Sequence, residues 1–141
     1  MTQHRAMTPE QLQGWLDSSP YIRLHGLECV QMDAAAGTLH LRMPMRDELR
    51  RMASAEQFHG GAIASLIDTA GAFAVIMGTQ APVPTINFRV DFLRPASGAH
   101  LLGKALVRRV GRSVGVVDVD VLNERERLVA VGRGCFGAAS A

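Results

Sequence analysis

The chain has 141 residues, 48% hydrophobic and 20% charged, with a formal net charge of +2 at pH 7. That length and balance describe one globular domain and exclude a disordered chain or two catalytic domains in series. The basic excess is almost all arginine, spread without a block, and aromatics make up only 5%, which speaks against a nucleic-acid surface of clustered cations and stacking rings.

The two cysteines, Cys29 and Cys135, stand alone with no paired spacing for zinc or redox chemistry, so a reduced, cytoplasmic protein is expected. The opening residues, MTQHRAMTPEQ, lack the apolar core of a signal peptide. The longest apolar run, Ala62 to Met77, is broken by Asp68 and reads as too short to span a bilayer. Neither a membrane nor a nucleic acid is expected as a partner.

In chain order, Thr8 is placed to cap a first helix. Pro9 suits the first helical position, and Gln11, three residues after the cap, completes a capping box. Leu12, Trp15 and Leu16 recur at helical spacing until Ser18-Ser19-Pro20 stops the pattern. Two short strands follow, at about 27–33 and 37–44. In the second, Leu39, Leu41 and Met43 alternate with His40 and Arg42, as a half-buried strand does. Residues 45–58 are charged and irregular, a connecting loop or short helix. A long helix is predicted over about 60–77, roughly 27 Å at about 1.5 Å per residue.

Beyond Thr85 the chain reads as strand. Ile86, Phe88, Val90 and Phe92 alternate with Asn87, Arg89 and Asp91, and three further strands at about 100–110, 113–122 and 127–136 form an antiparallel meander. About six strands, one long helix between the second and third, and a short N-terminal helix make an α+β domain whose sheet wraps a central helix. Residues 1–19 form the N-terminal helix segment of a single 1–141 domain.

The long helix divides by its period into two stripes. Ile63, Leu66, Ile67, Ala70, Phe73 and Met77 are bulky and expected on the sheet; Gly61, Ala64, Ser65, Asp68, Gly71, Ala72 and Val75 are small and suit close approach by another chain or a ligand. Glycine costs about 1 kcal/mol against alanine within a helix, so Gly71 needs a packing reason. Asp68 carries the only charge between Ala62 and Met77, and a lone carboxylate in such a run is either paired and structural or functional. His59-Gly60-Gly61 precedes it, at a helix start whose free N–H groups suit an anion or a polarised carbonyl oxygen. His4, His25, His40 and His100 are isolated and read as exposed strand, loop or terminal positions. Asp118 and Asp120 read as solvent-facing, and so does Asp91, although Arg89 and Arg94 nearby leave a ligand role open. No group has metal-ligand spacing, so no metal is expected.

Three stretches, HGGAIASLIDTAGAFA, TINFRVDFLRPA and VRRVGRSVGVVDVDVLNERERLVAVGRGCF, resemble the hotdog-fold acyl-CoA thioesterases of the phenylacetic-acid-degradation type, over a core of about 20–137. The resemblance implies hydrolysis of an acyl-CoA thioester to free acid and coenzyme A. No cofactor is implied, coenzyme A being part of the substrate. Asp68 would be nucleophile or general base, and the Gly60 N–H would polarise the carbonyl, a donor worth roughly 3–4 kcal/mol in other hydrolases. His59 would orient the loop or the carbonyl. Gln57, Gly61, Ser65, Thr69 and Thr85 would contact substrate, with Thr85 placed to hold the attacking water. Arg109, Arg112 and Ser113 would meet the nucleotide end of coenzyme A.

The resemblance also implies a homodimer whose two sheets join and whose sites lie between subunits, with dimers pairing into tetramers. Where relatives carry Asn or Gln six residues before the histidine, this chain has Ala53; Ser54, Glu56 and Gln57 are the nearby replacements. Two other readings stay open: a hotdog dehydratase or hydratase, and a non-catalytic acyl-CoA binding or sensing protein. A catalyst should leave Asp68 able to reach a thioester carbon, whereas a binder could pair it with an arginine.

Overall fold

The computed structural model describes residues 6–138; the expectation for His4 lies outside them. Helix α1 (Pro9–Ser18) begins as the sequence predicts: Gln11 N donates to Thr8 Oγ1 at 3.2 Å and Thr8 N to Gln11 Oε1 at 2.9 Å, while Leu12 and Leu16 are fully buried. The Ser-Ser-Pro stop is also a restart. Ser19 caps a second helix, α2 (Pro20–His25), by accepting from Ile22 N at 3.3 Å, and Gly26, at φ 63°, ends it. Proline at the first position after a serine cap is the signal that starts α1, repeated one helix later. His25 is therefore not an exposed loop residue. It is 4% exposed, with Nδ1 at 2.9 Å from the Tyr21 carbonyl oxygen and its ring 4.8 Å from that of Tyr21.

The strands are β1 (Glu28–Asp33), β2 (Thr38–Pro44), β3 (Thr85–Phe92), β4 (His100–Val110), β5 (Val114–Asn123) and β6 (Leu128–Gly137). They form one antiparallel sheet in the order β1-β2-β4-β5-β6-β3. The expected β4–β5–β6 meander is present, and β3 is carried to the far edge, where it pairs only with β6. The 45–58 segment contains one 3-10 turn, Asp47–Leu49, and is stitched down by the bridges Arg50–Phe58 and Gln57–Ser97.

Helix α3 (Gly60–Thr79) runs 20 residues and stops where Gln80 turns left-handed at φ 54°. It is two residues longer than the sequence pattern predicts. By length and apolarity it now meets the requirement for crossing a bilayer, contrary to that first reading. The sheet accounts for the apolarity instead: Ile63, Leu66, Ile67, Ala70, Phe73 and Met77 are all buried on it.

The small-residue stripe splits. Gly71 and Val75 turn into this chain's own core rather than outward. A Cβ on Gly71 would lie 2.5 Å from Phe136 Cζ, and one on Gly115 would lie 2.8 Å from Val75 Cγ2, so this side of the helix is small because the sheet is close. Only Gly61, Ala64, Ser65, Asp68 and Ala72 of that stripe keep exposed or half-exposed surface.

Strand β3 also departs from its pattern. Ile86, Phe88 and Phe92 are 55%, 38% and 56% exposed, because an edge strand alternates as any strand does but α3 covers it only in part. On the outer face, Asp118 is not simply solvated. Arg133 Nε and Nη2 both donate to its carboxylate, and Arg108 Nε lies 3.6 Å away. These cations hold its carboxyl below the usual range. Asp91 pairs with Arg89 at 3.1 Å, while Asp120 is exposed as expected.

Candidate active site

His59 is the N-cap of α3. Its extended backbone turns the ring back so that Nδ1 accepts from Gly61 N at 2.8 Å, which places the ring proton on Nε2 in the neutral form. Ala62 N and Ile63 N both donate to the His59 carbonyl oxygen, at 3.0 and 3.3 Å. Of the first-turn donors this leaves the Gly60 N–H, which has no acceptor among the described residues. The same N–H was singled out from the sequence, and its selection has a local cause: the histidine side chain occupies the neighbouring amide. Gly60 opens onto a groove of about 340 Å³, with the Phe92 ring 3.5 Å from where a Cβ would stand.

Asp68 lies eight residues further along. Thr85 Oγ1, at the start of β3, donates to Asp68 Oδ1 at 2.7 Å, and among the described residues no arginine pairs with the carboxylate. The sheet edge thereby fixes one oxygen and leaves Oδ2 available. Eight residues of helix rise about 12 Å, so a single carbonyl cannot both accept from Gly60 and be attacked at Asp68 of the same chain.

The remaining candidates fall into three places. Gln57 is half-buried and lines the groove beside Gly60, while Ala53 and Ser54 are exposed on a turn and Glu56 lies 3.9 Å from Arg50. Ser65 sits between Gly61 and Asp68, donating to the Gly61 carbonyl oxygen at 2.9 Å, whereas Thr69 is buried. Arg112 and Ser113 form the β4–β5 turn and Arg109 is the penultimate residue of β4. That turn packs by the C-terminal half of α3, through Gly115 on Val75, at the opposite end from His59. One chain does not bring these three to Gly60.

Tyr21 was not found from the sequence. Its hydroxyl lies 2.7 Å from Ser65 Oγ and fastens α2 over the Asp68 side of α3; the contact spans 44 residues, beyond any local spacing rule. Arg51 was missed as well. Among the described residues no three His, Cys, Asp or Glu side chains converge as a metal site.

Known proteins resemble this chain in sequence and in fold. The family model of the thioesterase superfamily matches residues 57–130, just over half of the chain. A Halobacterium salinarum protein described as a candidate esterase is 41% identical over 115 residues, covering 74% of this chain and 76% of that one. The Escherichia coli acyl-coenzyme A thioesterase PaaI is 40% identical over 77 residues, 54% of each chain. The solved structure of E. coli PaaI, from the phenylacetic acid degradation operon, superposes with a TM-score of 0.78 at 26% identity, over 91% of this chain and 90% of that one.

Proposed function

The chain belongs to the thioesterase superfamily, with a hotdog fold of the PaaI type, and from that premise we propose that it hydrolyses acyl-CoA thioesters at a site shared by two copies. The observation that carries this reading is the pair of prepared groups on α3: a free Gly60 N–H and an Asp68 carboxylate with one oxygen held by Thr85. In the proposed reaction the thioester oxygen of the substrate accepts from Gly60 N–H. Asp68 Oδ2 either takes a proton from the attacking water or attacks the carbonyl carbon itself. The tetrahedral oxyanion stays on the amide and collapses with cleavage of the C–S bond. With water as nucleophile the acid forms at once and the proton taken up by Asp68 passes to the departing thiolate; with Asp68 as nucleophile the acyl group stays on Oδ2 as a mixed anhydride until a water hydrolyses it to the acid and supplies the thiolate's proton. Preorganised donors of this kind stabilise the oxyanion by roughly 3–4 kcal/mol.

The separation of about 12 Å along the helix supports a two-chain site, with Gly60 from one copy and Asp68 from the other. The exposed apolar edge of β3 supports a second copy as the partner, and pairing of dimers into tetramers extends the same reading. Arg109, Arg112 and Ser113, remote from Gly60 within one chain, fit such a site only as groups supplied across it. That no arginine among the described residues pairs with Asp68 favours a catalyst over a non-catalytic binder. A dehydratase would need a histidine working with the carboxylate, and His59 already spends Nδ1 on its own helix. The reading requires no cofactor or metal and places the enzyme in the cytoplasm.

The test is thiol release from aliphatic, phenylacetyl and hydroxybenzoyl CoA esters by wild type and Asp68→Asn. A fall of about 100-fold or more in kcat, a loss of roughly 2.7 kcal/mol, with the fold intact, is expected. Tight binding of CoA esters with no turnover by the wild type would leave a binding protein instead.

A further inference from the structure

The groove at the start of α3 carries charge of one sign. Its walls are the 50–58 loop and the 92–96 segment, tied together by Phe58 N donating to the Ala96 carbonyl oxygen at 2.8 Å and by the Gln57–Ser97 bridge. Arg51 stands on one wall and Arg94 on the other, both exposed, and neither guanidinium enters an ion pair or hydrogen bond among the described residues. Nearby arginines are neutralised: Arg50 by Asp47 and Glu56, Arg89 by Asp91. No carboxylate lines the groove, and much of its wall is apolar, with Ile63, Phe92, Leu93 and Pro95.

Two unpaired guanidiniums on one apolar channel match an elongated ligand with a largely uncharged arm and an anionic end. We propose that this groove is where the coenzyme A arm leaves the site, and that Arg51 and Arg94 hold its phosphates. The assignment rests on the hydrolase reading above and specifies it.

A groove of about 340 Å³ admits the pantetheine arm but not the nucleotide as well, so the phosphates stay at the mouth. Long arginine side chains reach that position, and their planar fork binds phosphate oxygens in pairs. With the arm running outward from Gly60, the acyl group is directed inward, toward the carboxylate supplied by the second copy. Arg51 and Arg94 thus act as positioning residues: they select a CoA thioester over the same acyl group on a bare pantetheine thiol.

The test compares coenzyme A, dephospho-CoA and pantetheine by calorimetry against wild type, Arg51→Gln, Arg94→Gln, the double variant, and Arg109→Gln/Arg112→Gln. Each single groove variant should weaken coenzyme A about 10-fold, one lost charge-assisted contact, and the double variant more, with pantetheine affinity kept. Arg94→Lys should recover part of the loss. An equal loss with dephospho-CoA assigns the contact to the pyrophosphate, and a smaller one assigns it to the 3′-phosphate. Either result supports the groove. Unchanged coenzyme A affinity in the double variant overturns the proposal, as does a loss shared equally by pantetheine. An effect confined to the Arg109/Arg112 variant overturns it too. Calorimetry needs no turnover, so a wild type that binds coenzyme A through the groove yet hydrolyses no ester would refute the hydrolase and leave this site standing.

Discussion

Strands β5 and β3 carry the same kind of sequence and meet different fates. In β5, Val117, Val119 and Val121 alternate with Asp118 and Asp120, and the valines are 0–1% exposed under α3. In β3, Ile86, Phe88 and Phe92 alternate just as regularly and stay largely uncovered. Alternation states which face of a strand is apolar; it does not state what lies against that face. The centre of the sheet is finished by this chain's own helix, and the β3 edge keeps its apolar side chains exposed.

Substitutions can break or sharpen that contrast. The largest stability effect belongs at the centre. Leu66 is fully buried, within 3.1 Å of where a Cβ on Gly103 would stand, and Leu66→Ala should cost about 2–5 kcal/mol in denaturant unfolding. A loss under 1 kcal/mol would mean the helix–sheet contact is not the core described here.

Gly71→Ala is next. Helix propensity gains about 1 kcal/mol, but the new methyl meets the buried Phe136 ring at 2.5 Å, and overpacking costs about 1–3 kcal/mol. Thermal unfolding should therefore come earlier in this variant, and a stabilised protein would place the ring elsewhere.

On the outer face, Asp118→Asn should cost at most about 1 kcal/mol near pH 7, the range for exposed pairs. Because Arg133 lowers the carboxyl pKa in the folded state, that contribution is present above the unfolded value of 3.8 and disappears as pH falls through the lower folded value. Urea midpoints of wild type and variant should converge in acid, and a gap that widened there would contradict the pairing. The smallest effect on the stability of the single chain belongs to the edge: Ile86→Lys should change it by no more than about 0.5 kcal/mol. Sedimentation should nonetheless show the assembly weakened, and unchanged assembly would move the interface away from β3.

Much of the fold was legible because it is written locally. The Thr8–Gln11 box, the strand spacings and the bulky stripe of α3 each depend on residues a few positions apart. So does the Gly60 donor, selected by a histidine one residue away. The parts that escaped depend on distant partners. Gly71 could be recognised as a packing residue but not turned toward Phe136, 65 positions later. Asp118 meets Arg133 only through β5–β6 register, and Tyr21 reaches Ser65 only once α2 exists. That helix is itself signalled locally, by Ser19-Pro20, as α1 is by Thr8-Pro9.

The hydrogen bond from Thr85 to Asp68 has a kinetic meaning. Thr85 belongs to β3, the strand proposed to meet a second copy, so on that proposal the strand that associates also orients the carboxylate. On a two-chain site, protein concentration becomes a control on the chemistry: below the dimer dissociation constant the rate should rise with the square of total protein, and specific activity should fade on dilution and return on reconcentration. An abundance switch would then be built into the catalyst, with no effector required.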